Sequence, residues 1–376
     1  MLPEVKEVAA LQSPIRDLYS AGASATVLYH GAEVPARFSG AGVEHHAVRS
    51  GAGLFDFSFR SKFTLVGEHR VRFLHRIISN DVKSLTPGQG AYATLLSAQG
   101  RVLADLCVYA DADRLWIDTD ADLASKAMAI LQRYVIGDRV VIEPSDLNVV
   151  SLQGPESRKA LESLRGAGLE FEMAALSDEL CHAAAELDGQ PARVVRRSST
   201  GEEGYEFWLE PAALRNLWTR AADAGAVPCG VEALEILRIE AGIARYGPDF
   251  GEDTLPLEAG LFNALSFNKG CYIGQEIVER ARSRGHVNWK LVGLCFPPGA
   301  AAPSTGAKLR SPSGGEVGEI TSACISPSLG RPLALGYVRR EVSGHGTHLD
   351  SEAATAEVVA LPFVGPDRTL SAVIRW

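Results

Sequence analysis

The sequence lacks the long apolar runs and the secretory leader that mark membrane and exported proteins. No apolar run reaches the roughly 18 residues that a transmembrane helix needs. The segment Met1–Glu7 has no basic region followed by an apolar stretch, so it predicts no secretory signal. These absences favour a globular protein of the cytoplasm that does not bind membranes.

The cysteines and the charge balance exclude further classes of protein. Six cysteines are scattered at positions 107, 181, 229, 271, 295 and 324, without the dense spacing of a disulfide scaffold, so reduced thiols are expected. A net charge of -9 argues against a general nucleic-acid binder, although it allows a local basic pocket for a small anion. The length of 376 residues predicts two or three domains.

Several common site motifs are also missing. The glycines at Gly51 and Gly53 lack the strand-to-helix context and the downstream acid of a dinucleotide site. Ser157 does not lie in a nucleophile elbow, so a hydrolase has no support. The nine histidines and the cysteines show no metal-ligand spacing, and we expect no metal site.

The apolar pattern predicts an α+β protein. Strands are expected at 63–66, 91–96, 102–109 and 115–117, with helices at 70–78 and 123–134. A similar block follows, with strands at 148–152, 192–195 and 205–209 and helices at 156–164, 214–224 and 231–241. After Trp289 the β-type runs are short and separated by Gly, Pro and Ser, which favours a small all-β barrel or sandwich.

One string of residues combines a lone cysteine with a helix entry. It contains Lys269, Gly270, Cys271, Tyr272, Gly274, Gln275 and Glu276. The segment 277–284 has no Gly or Pro, so Gly274 is a plausible helix entry. A thiol beside Lys269 and just outside the first turn is typical of a reactive cysteine. The alternative is a packed thiol, because cysteine is among the most buried residue types.

Three charged residues lie where the pattern is otherwise apolar. Asp105 is the single charged residue of 102–109; it faces either water or an interior cavity. Arg238 lies near the apolar stripe of its helix and needs either a structural carboxylate or an anionic ligand. Glu206 follows a glycine-rich turn on a strand, where a carboxylate can accept two parallel hydrogen bonds from a guanidinium or a pterin edge.

Short motifs along nearly the whole chain resemble one known family. They are Gly53-Leu54-Phe55-Asp56, Ser79-Asn80-Asp81-Val82, Gln153-Gly154-Pro155, Thr200-Gly201-Glu202-Glu203-Gly204-Tyr205-Glu206, Leu237-Arg238-Ile239-Glu240-Ala241-Gly242 and Gly318-Glu319-Ile320-Thr321-Ser322. From about residue 35 onward, the chain resembles the folate-binding superfamily of the glycine cleavage T-protein (aminomethyltransferase). The Lys-Gly-Cys-Tyr-x-Gly-Gln-Glu string resembles the YgfZ-type branch, since T-proteins proper lack this cysteine.

The resemblance implies a fold and its domain boundaries. It implies a three-domain cloverleaf around a central folate channel, with two mixed α+β domains and a C-terminal all-β barrel. Residues 1–50 and 145–245 would form one α+β domain, and 51–144 the second. Residues 246–286 would connect them to a barrel at 287–376.

The resemblance also implies roles for individual residues. The catalytic aspartate falls on Asp105, with Ala104 where T-proteins have a second acid, and Cys271 is a second candidate for chemistry. The implied tetrahydrofolate contacts are Arg60, Tyr92, Trp116, Asp118, Asp120, Glu206 and Arg238. The chain departs from T-proteins at Ser199, which replaces a tyrosine, and at Phe59-Arg60, which replace a His-Met pair.

Two classes of function follow from this resemblance. A YgfZ-type protein would bind tetrahydrofolate and assist iron–sulfur cluster assembly or repair with assembly proteins as partners; one thiol cannot hold a cluster, which takes about four ligands. The alternative is a tetrahydrofolate-dependent aminomethyltransferase or related one-carbon transferase, with a lipoyl carrier as partner. A folate-binding module without either activity is a third possibility.

Overall fold

A computed structural model describes residues 10–19, 25–283 and 287–365 of the chain. The predicted features at Met1–Glu7 and at Arg284 lie outside the described residues, as do parts of the first and last predicted domains. The strands are β1 (Leu11–Gln12), β2 (Ala25–Tyr29), β3 (Ala32–Arg37), β4 (Gly53–Asp56), β5 (Arg60–Val66), β6 (Gly90–Leu96), β7 (Val102–Ala110), β8 (Arg114–Asp120), β9 (Val141–Ser145), β10 (Asn148–Gln153), β11 (Leu169–Glu170), β12 (His182–Leu187), β13 (Gln190–Arg196), β14 (Gly204–Leu209), β15 (Val227–Cys229), β16 (Trp289–Cys295), β17 (Lys308–Arg310), β18 (Glu316–Ser326), β19 (Arg331–Arg339), β20 (His348–Asp350) and β21 (Thr355–Val359). The helices are α1 (Arg16–Tyr19), α2 (Ala41–Ser50), α3 (Arg70–His75), α4 (Ala121–Arg133), α5 (Ser157–Gly166), α6 (Pro211–Asp223), α7 (Val231–Glu240) and α8 (Gln275–Ser283).

The largest sheet has seven strands in the order β11-β12-β13-β14-β10-β4-β15. Its neighbouring pairs are antiparallel except β15 with β4, which run parallel. Helices α5 and α6 pack on this sheet, where Leu161 and Leu214 share a buried cluster with Leu152 and Phe207. Burying each such side chain contributes roughly 1.5–3 kcal/mol, so this cluster stabilises the sheet and its helices as one layer pair.

The second sheet has five antiparallel strands in the order β6-β7-β8-β5-β9. Helices α3 and α4 supply Phe73 and Leu131 to a cluster that contains Phe63 and Ile117 of the sheet. The strands predicted at 63–66 and 102–109 lie within β5 and β7, and the helix predicted at 123–134 overlaps α4. The helix predicted at 70–78 is shorter than expected, because α3 ends at His75.

The C-terminal strands form a closed barrel in the order β16-β19-β18-β17-β20-β21, completed by pairing of β21 with β16. A three-stranded sheet, β1-β3-β2, adds a small third layer near the N-terminus. Mixed α+β sheets followed by a β-barrel confirm the predicted fold class. In the described parts of the chain, no helix is long and apolar enough to cross a membrane.

Helix α2 is a feature that the apolar pattern did not predict. Its start is fixed by the buried side chain of Glu44, whose Oε1 accepts the backbone N–H groups of Phe38, Ser39 and Gly40 at 2.6, 2.8 and 3.0 Å. Glu44 Oε2 accepts a fourth N–H, from Gly230, at 2.8 Å. These N–H groups have no partner within a helix, and the Glu44 carboxylate accepts their hydrogen bonds. Glu44 lies inside α2, whereas a capping residue usually precedes the helix.

An aromatic cluster joins the two large sheets and α7. Phe57 and Trp208 belong to it, together with Tyr109 of β7 and Leu237 of α7. The rings of Tyr109 and Trp208 meet edge to face with centroids 5.1 Å apart. Packing of this kind adds about 0.5–1.5 kcal/mol beyond area burial, so it fixes the sheets relative to each other. The polar residues described next lie at the margin of this cluster.

Candidate functional site

A cleft opens where the two large sheets, the β2–β3 hairpin and α7 meet. It encloses about 650 Å³, including its open mouth. Its walls combine aromatic rings with charged groups of both signs, as expected of a site for a flat polar ligand. The lining residues are Tyr29, His30, Phe57, Phe59, Arg60, Asp105, Asp120, Arg197, Ser198, Ser199, Glu206, Leu234, Arg238, Ile243, Ala244, Arg245 and Tyr246.

Asp105 lies on β7 and presents one unpaired oxygen in this cleft. Its Oδ2 accepts a hydrogen bond from the Tyr92 hydroxyl at 3.0 Å, whereas Oδ1 is buried and has no hydrogen-bond partner. Burial, reinforced by the negative charge of Asp120, raises the pKa of Asp105 to about 6. The carboxyl is therefore mostly ionised at neutral pH and titrates close to it, which suits a group that accepts or positions a proton.

Glu206 lies on β14 and is fully buried at the same cleft. Trp208 Nε1 donates to its Oε2 at 3.4 Å, whereas Oε1 makes no hydrogen bond. The nearest cation, Arg197 Nη1, is 3.5 Å from Oε1. A buried carboxylate oxygen without a hydrogen bond is costly, so this oxygen of Glu206 retains an unused acceptor.

A buried ion cluster supports the floor of the cleft. Arg60 donates to Asp120 Oδ1 at 2.5 Å and, through Nη2, to Asp118 Oδ2. Arg197 Nη1 donates to Asp118 at 2.7 Å, and Lys62 Nζ lies 2.9 Å from Asp118 Oδ1. Burial alone would raise the pKa of Asp118, but the three cations outweigh it and hold that pKa below its ordinary value. Asp118 therefore organises the cations and is not itself a lining residue.

Arg238, a predicted folate contact, lines the cleft but is held by protein groups. Its Nη1 donates to Asp249 Oδ2 at 2.6 Å, and its Nη2 donates to Glu235 at 2.9 Å and to Ser322 Oγ at 2.6 Å. Burial opposes the charge, but Asp249 and Glu235 outweigh it and keep the pKa of Arg238 above its ordinary value. Since Ser322 belongs to β18, the guanidinium ties α7 to the barrel. The sequence left open whether Arg238 binds a structural carboxylate or an anionic ligand, and in the structure its partners are the carboxylates of Asp249 and Glu235.

Trp116, another predicted contact, is not among the described residues that line the cleft. Its Nε1 donates to Asp111 at 2.8 Å, and the Arg193 guanidinium lies over its ring at 5.3 Å. Arg193 comes from β13 and also donates to Asp111 at 2.6 Å. Trp116 therefore takes part in a bridge between the two large sheets. Strand alternation could not reveal this, because Arg193 is far away in the sequence.

The cysteine string packs against the five-stranded sheet, away from the lining of the cleft. Lys269 Nζ does not serve the thiol, as the sequence suggested; it donates to the carbonyl oxygens of His75, Ile78 and Asn80, the last at 2.8 Å. His75 ends α3 and the other two carbonyls follow it, so the ammonium caps the end of that helix. Burial lowers the pKa of Lys269 to about 8. Cys271 itself is exposed.

The rest of the string fixes α8. Tyr272 is buried, and its backbone N–H donates to Gln275 Oε1 at 3.3 Å. The helix begins at Gln275 directly after Gly274, as predicted, and Glu276 pairs with Arg280 one turn later at 2.6 Å. Gly274 has φ +81 and leaves no room for a side chain, because a Cβ would lie 2.6 Å from the carbonyl oxygen of Ser97.

Two cleft residues that sequence reasoning missed are His30 and Arg245. Arg245 Nη1 contacts His30 Nε2 at 3.1 Å, and its guanidinium stacks over Tyr29 at 4.6 Å. An arginine can only donate, so His30 Nε2 is the acceptor and Nδ1 carries the proton. Nδ1 lies 3.2 Å from Asp120 and 3.3 Å from Asp122. These three residues could surround a cation by distance alone, but a protonated Nδ1 is a donor and not a metal ligand.

A further missed residue is Arg197, which lies between Asp118 and Glu206. The sequence could have indicated Arg197, because it directly precedes the Ser198-Ser199-Thr200 turn, and that turn brings it beside the predicted strand of Glu206. Its partner Asp118 comes from a different sheet, and that contact was not visible in the sequence.

The fold and the cleft define a multidomain α+β protein with a polar, aromatic-lined cleft between its sheets. Residues 16–269 match the GCVT N-terminal domain, and residues 290–365 match the glycine cleavage T-protein C-terminal barrel domain. The chain belongs to the glycine cleavage T-protein family.

Relatives of similar length carry one name. The chain is 34% identical over 349 residues to an aminomethyltransferase of Nostoc sp., covering 89% of this chain and 90% of the relative. It is 31% identical over 364 residues to an aminomethyltransferase of Bacillus subtilis, covering 94% and 98%. The structure resembles the glycine cleavage system aminomethyltransferase T from Bartonella henselae with a TM-score of 0.86, 27% identity and coverage of 94% and 98%.

Proposed function

We propose that this protein binds tetrahydrofolate in the cleft and transfers a one-carbon unit, as an aminomethyltransferase does. The observation that carries the proposal is the pair of buried carboxylate oxygens, Asp105 Oδ1 and Glu206 Oε1, that have no hydrogen-bond partner in one cleft. A reduced folate carries N–H groups at its pterin edge and at the nitrogens that hold the one-carbon unit. The donor and acceptor types therefore fit.

Glu206 would recognise the pterin. Its fixed carboxylate suits the adjacent N–H donors of the pyrimidine edge, which are coplanar and parallel. Phe57 and Phe59 line the same cleft, with ring centroids 4.8 Å apart, and offer aromatic surface for the flat ring system. Binding would thus depend on one carboxylate for orientation and on apolar contact for much of the affinity.

Asp105 would act on the nitrogens that carry the one-carbon unit. Tetrahydrofolate supplies these nitrogens as the acceptor of that unit. With its Oδ2 held by Tyr92, Asp105 can present Oδ1 to a ring N–H and either accept its proton or stabilise positive charge that develops there. Its pKa of about 6 keeps the carboxylate form available at neutral pH. A lipoyl carrier protein is the donor that the family membership supports.

The test is transfer from an aminomethylated lipoyl carrier to tetrahydrofolate, measured as methylene-tetrahydrofolate formed by the full-length protein. We expect product with the wild type and a large loss with Asp105→Asn, whereas the surface variant Arg215→Met should match the wild type. Tight tetrahydrofolate binding without product from this donor would refute aminomethyl transfer from a lipoyl carrier, and no product from a methylated amine either would leave a folate-binding role. Absence of binding would refute the cleft as a folate site.

A second candidate function is the YgfZ-type role in iron–sulfur cluster assembly or repair. Exposed Cys271 favours it, because the thiol sits between Lys269, which caps α3, and buried Tyr272, and so is presented to a partner on a fixed support. Replacing Cys271 by Ser in cells and assaying cluster-dependent enzymes tests this role. Unchanged enzyme activity would remove the support that the cysteine gives, while a loss without any change in folate affinity would favour it.

A further inference from the structure

The cleft also contains an unpaired donor, on Arg60. Both terminal nitrogens of its guanidinium are engaged, Nη1 by Asp120 and Nη2 by Asp118, whereas its buried Nε makes no hydrogen bond. The side chain is 9% exposed. Two carboxylates therefore fix the plane of the guanidinium while one N–H is left for a ligand. A buried N–H without a partner is rare and costly in proteins.

Arg60 and Asp105 both line the cleft, but they do not form an ion pair with each other. Arg60 supplies the largest favourable charge acting on the Asp105 carboxylate, yet the ion pairs of Arg60 among the described residues are with Asp118 and Asp120. The cleft therefore offers an unpaired acceptor, Asp105 Oδ1, and an unpaired cationic donor, Arg60 Nε, on neighbouring side chains. A ligand that satisfies both atoms would carry an N–H for Asp105 and an oxygen for Arg60.

We propose that Arg60 makes the cleft selective for folates whose one-carbon unit is a neutral formyl group over folates whose one-carbon unit is a cationic methenyl bridge. The proposal rests on the proposed function, because it assumes that the cleft binds a reduced folate. It assigns to Arg60 the contact with the formyl oxygen and to Asp105 the contact with the N–H of the unsubstituted nitrogen.

The chemistry of the two ligands explains the preference. In 5-formyl-tetrahydrofolate, N5 carries a carbonyl oxygen and N10 keeps its hydrogen, so the ligand offers one acceptor and one donor. In 5,10-methenyl-tetrahydrofolate, both nitrogens are substituted, no oxygen is present and the bridge is positively charged. The methenyl bridge offers no oxygen to Arg60 Nε and no N–H to Asp105 Oδ1, so both buried atoms would stay without hydrogen-bond partners.

The experiment compares three ligands with four forms of the full-length protein. Dissociation constants are measured for tetrahydrofolate, 5-formyl-tetrahydrofolate and freshly prepared 5,10-methenyl-tetrahydrofolate. The proteins are the wild type, Arg60→Met, Arg60→Lys and the control Arg215→Met, whose arginine pairs with Asp17 on the surface. For the wild type and the control, we expect the formyl ligand to bind at least about 10-fold more tightly than the methenyl ligand.

The two Arg60 variants separate charge from hydrogen bonding. Arg60→Met removes both, so the two ligands should bind within about 3-fold of each other. Arg60→Lys keeps a charged hydrogen-bond donor but loses the fixed Nε N–H, so discrimination should fall but persist. Arg60→Met is expected to fold, because Asp118 keeps Lys62 and Arg197 as partners. Thermal unfolding checks that it does. If Arg60→Met does not fold, the ratio of dissociation constants in Arg60→Lys alone tests the selectivity role.

The outcomes are distinguishable from failure of the proposed function. If the wild type binds tetrahydrofolate but the ratio of the two dissociation constants is the same in every Arg60 variant, the selectivity role of Arg60 is wrong. A wild type that prefers the methenyl ligand overturns it as well. If the wild type binds none of the three ligands, the folate site itself is wrong.

Discussion

The Tyr92 hydroxyl and the Asp105 carboxylate form a 3.0 Å hydrogen bond that uses one carboxylate oxygen and leaves the other free. The Tyr92 hydroxyl orients the carboxylate, and burial raises the pKa of Asp105 toward neutral pH. An arrangement of this kind favours ligand chemistry at the expense of stability, because a buried carboxylate oxygen without a partner is unfavourable.

Asp105→Asn is therefore expected to stabilise the protein while it greatly slows the proposed one-carbon transfer. The pKa of Asp105 is about 6 in the folded state, above its ordinary value of 3.8. The ionised carboxylate therefore lowers the free energy of unfolding by its full amount above pH 6, and this loss disappears as the pH falls toward 4. The variant should gain about 1–3 kcal/mol at about pH 8 and almost nothing at about pH 4. One-carbon transfer should drop by about 10²–10⁴-fold. Denaturant unfolding at both pH values and the transfer assay check this; equal gains at both values would contradict it.

Glu206→Gln is expected to weaken tetrahydrofolate binding by about 10- to 100-fold, because a neutral amide replaces a charged acceptor and offers N–H groups to N–H groups. Isothermal titration calorimetry provides the affinity. The matched control is Glu210→Gln, an exposed acid just beyond the same strand, which should bind like the wild type. Equal losses in both variants would mean that overall charge, and not the cleft carboxylate, governs binding.

Arg238→Gln is expected to damage stability more than folate recognition. Removing one partner of a buried ion pair costs about 3–5 kcal/mol, because the carboxylate of Asp249 remains buried without its cation. Arg238→Lys should recover part of this loss, since an ammonium can still face Asp249 but cannot also reach Glu235 and Ser322. Denaturant unfolding measures both variants. A stable Arg238→Gln protein with strongly reduced folate affinity would instead assign this arginine to the ligand.

The glycines on either side of Cys271 should differ in tolerance. Gly270 has φ +88 and open space where a Cβ would lie, so Gly270→Ala should cost about 1–2 kcal/mol from backbone strain alone. Gly274→Ala adds a clash with Ser97 and should cost about 2–5 kcal/mol. Thermal and denaturant unfolding give both values. Equal losses would show that packing of Gly274 against the 97–100 turn contributes little.

The sequence predicted the parts of this site that depend on local pattern. The charged residue in an apolar strand and the acid after a glycine-rich turn identified Asp105 and Glu206, and both lie in one cleft. Residues that depend on distant contacts were not predictable in the same way. Arg197 meets Asp118 from another sheet, and Trp116 turns to Asp111 because Arg193 stacks on it.

Lys269 illustrates a second limit. It is close to Cys271 in the sequence, which suggested that its charge serves the thiol. In the structure its ammonium reaches the carbonyls at and just after the end of α3, because those groups need donors where the helix ends. Two residues that are close in the sequence can have side chains that point to different places, so the contacts of Lys269 become known only from the folded structure.

The unpaired atoms of the cleft would also make the lifetime of the protein depend on ligand binding. On the proposed function, Asp105, Glu206 and Arg60 would all gain partners when a folate binds, so the loaded protein should unfold less often than the empty one. A ligand at 100 times its dissociation constant adds about 2.7 kcal/mol, enough to lower the unfolded fraction roughly 100-fold. Cellular proteases act on that fraction. The amount of this protein in a cell would then follow the concentration of that folate without any change in its synthesis.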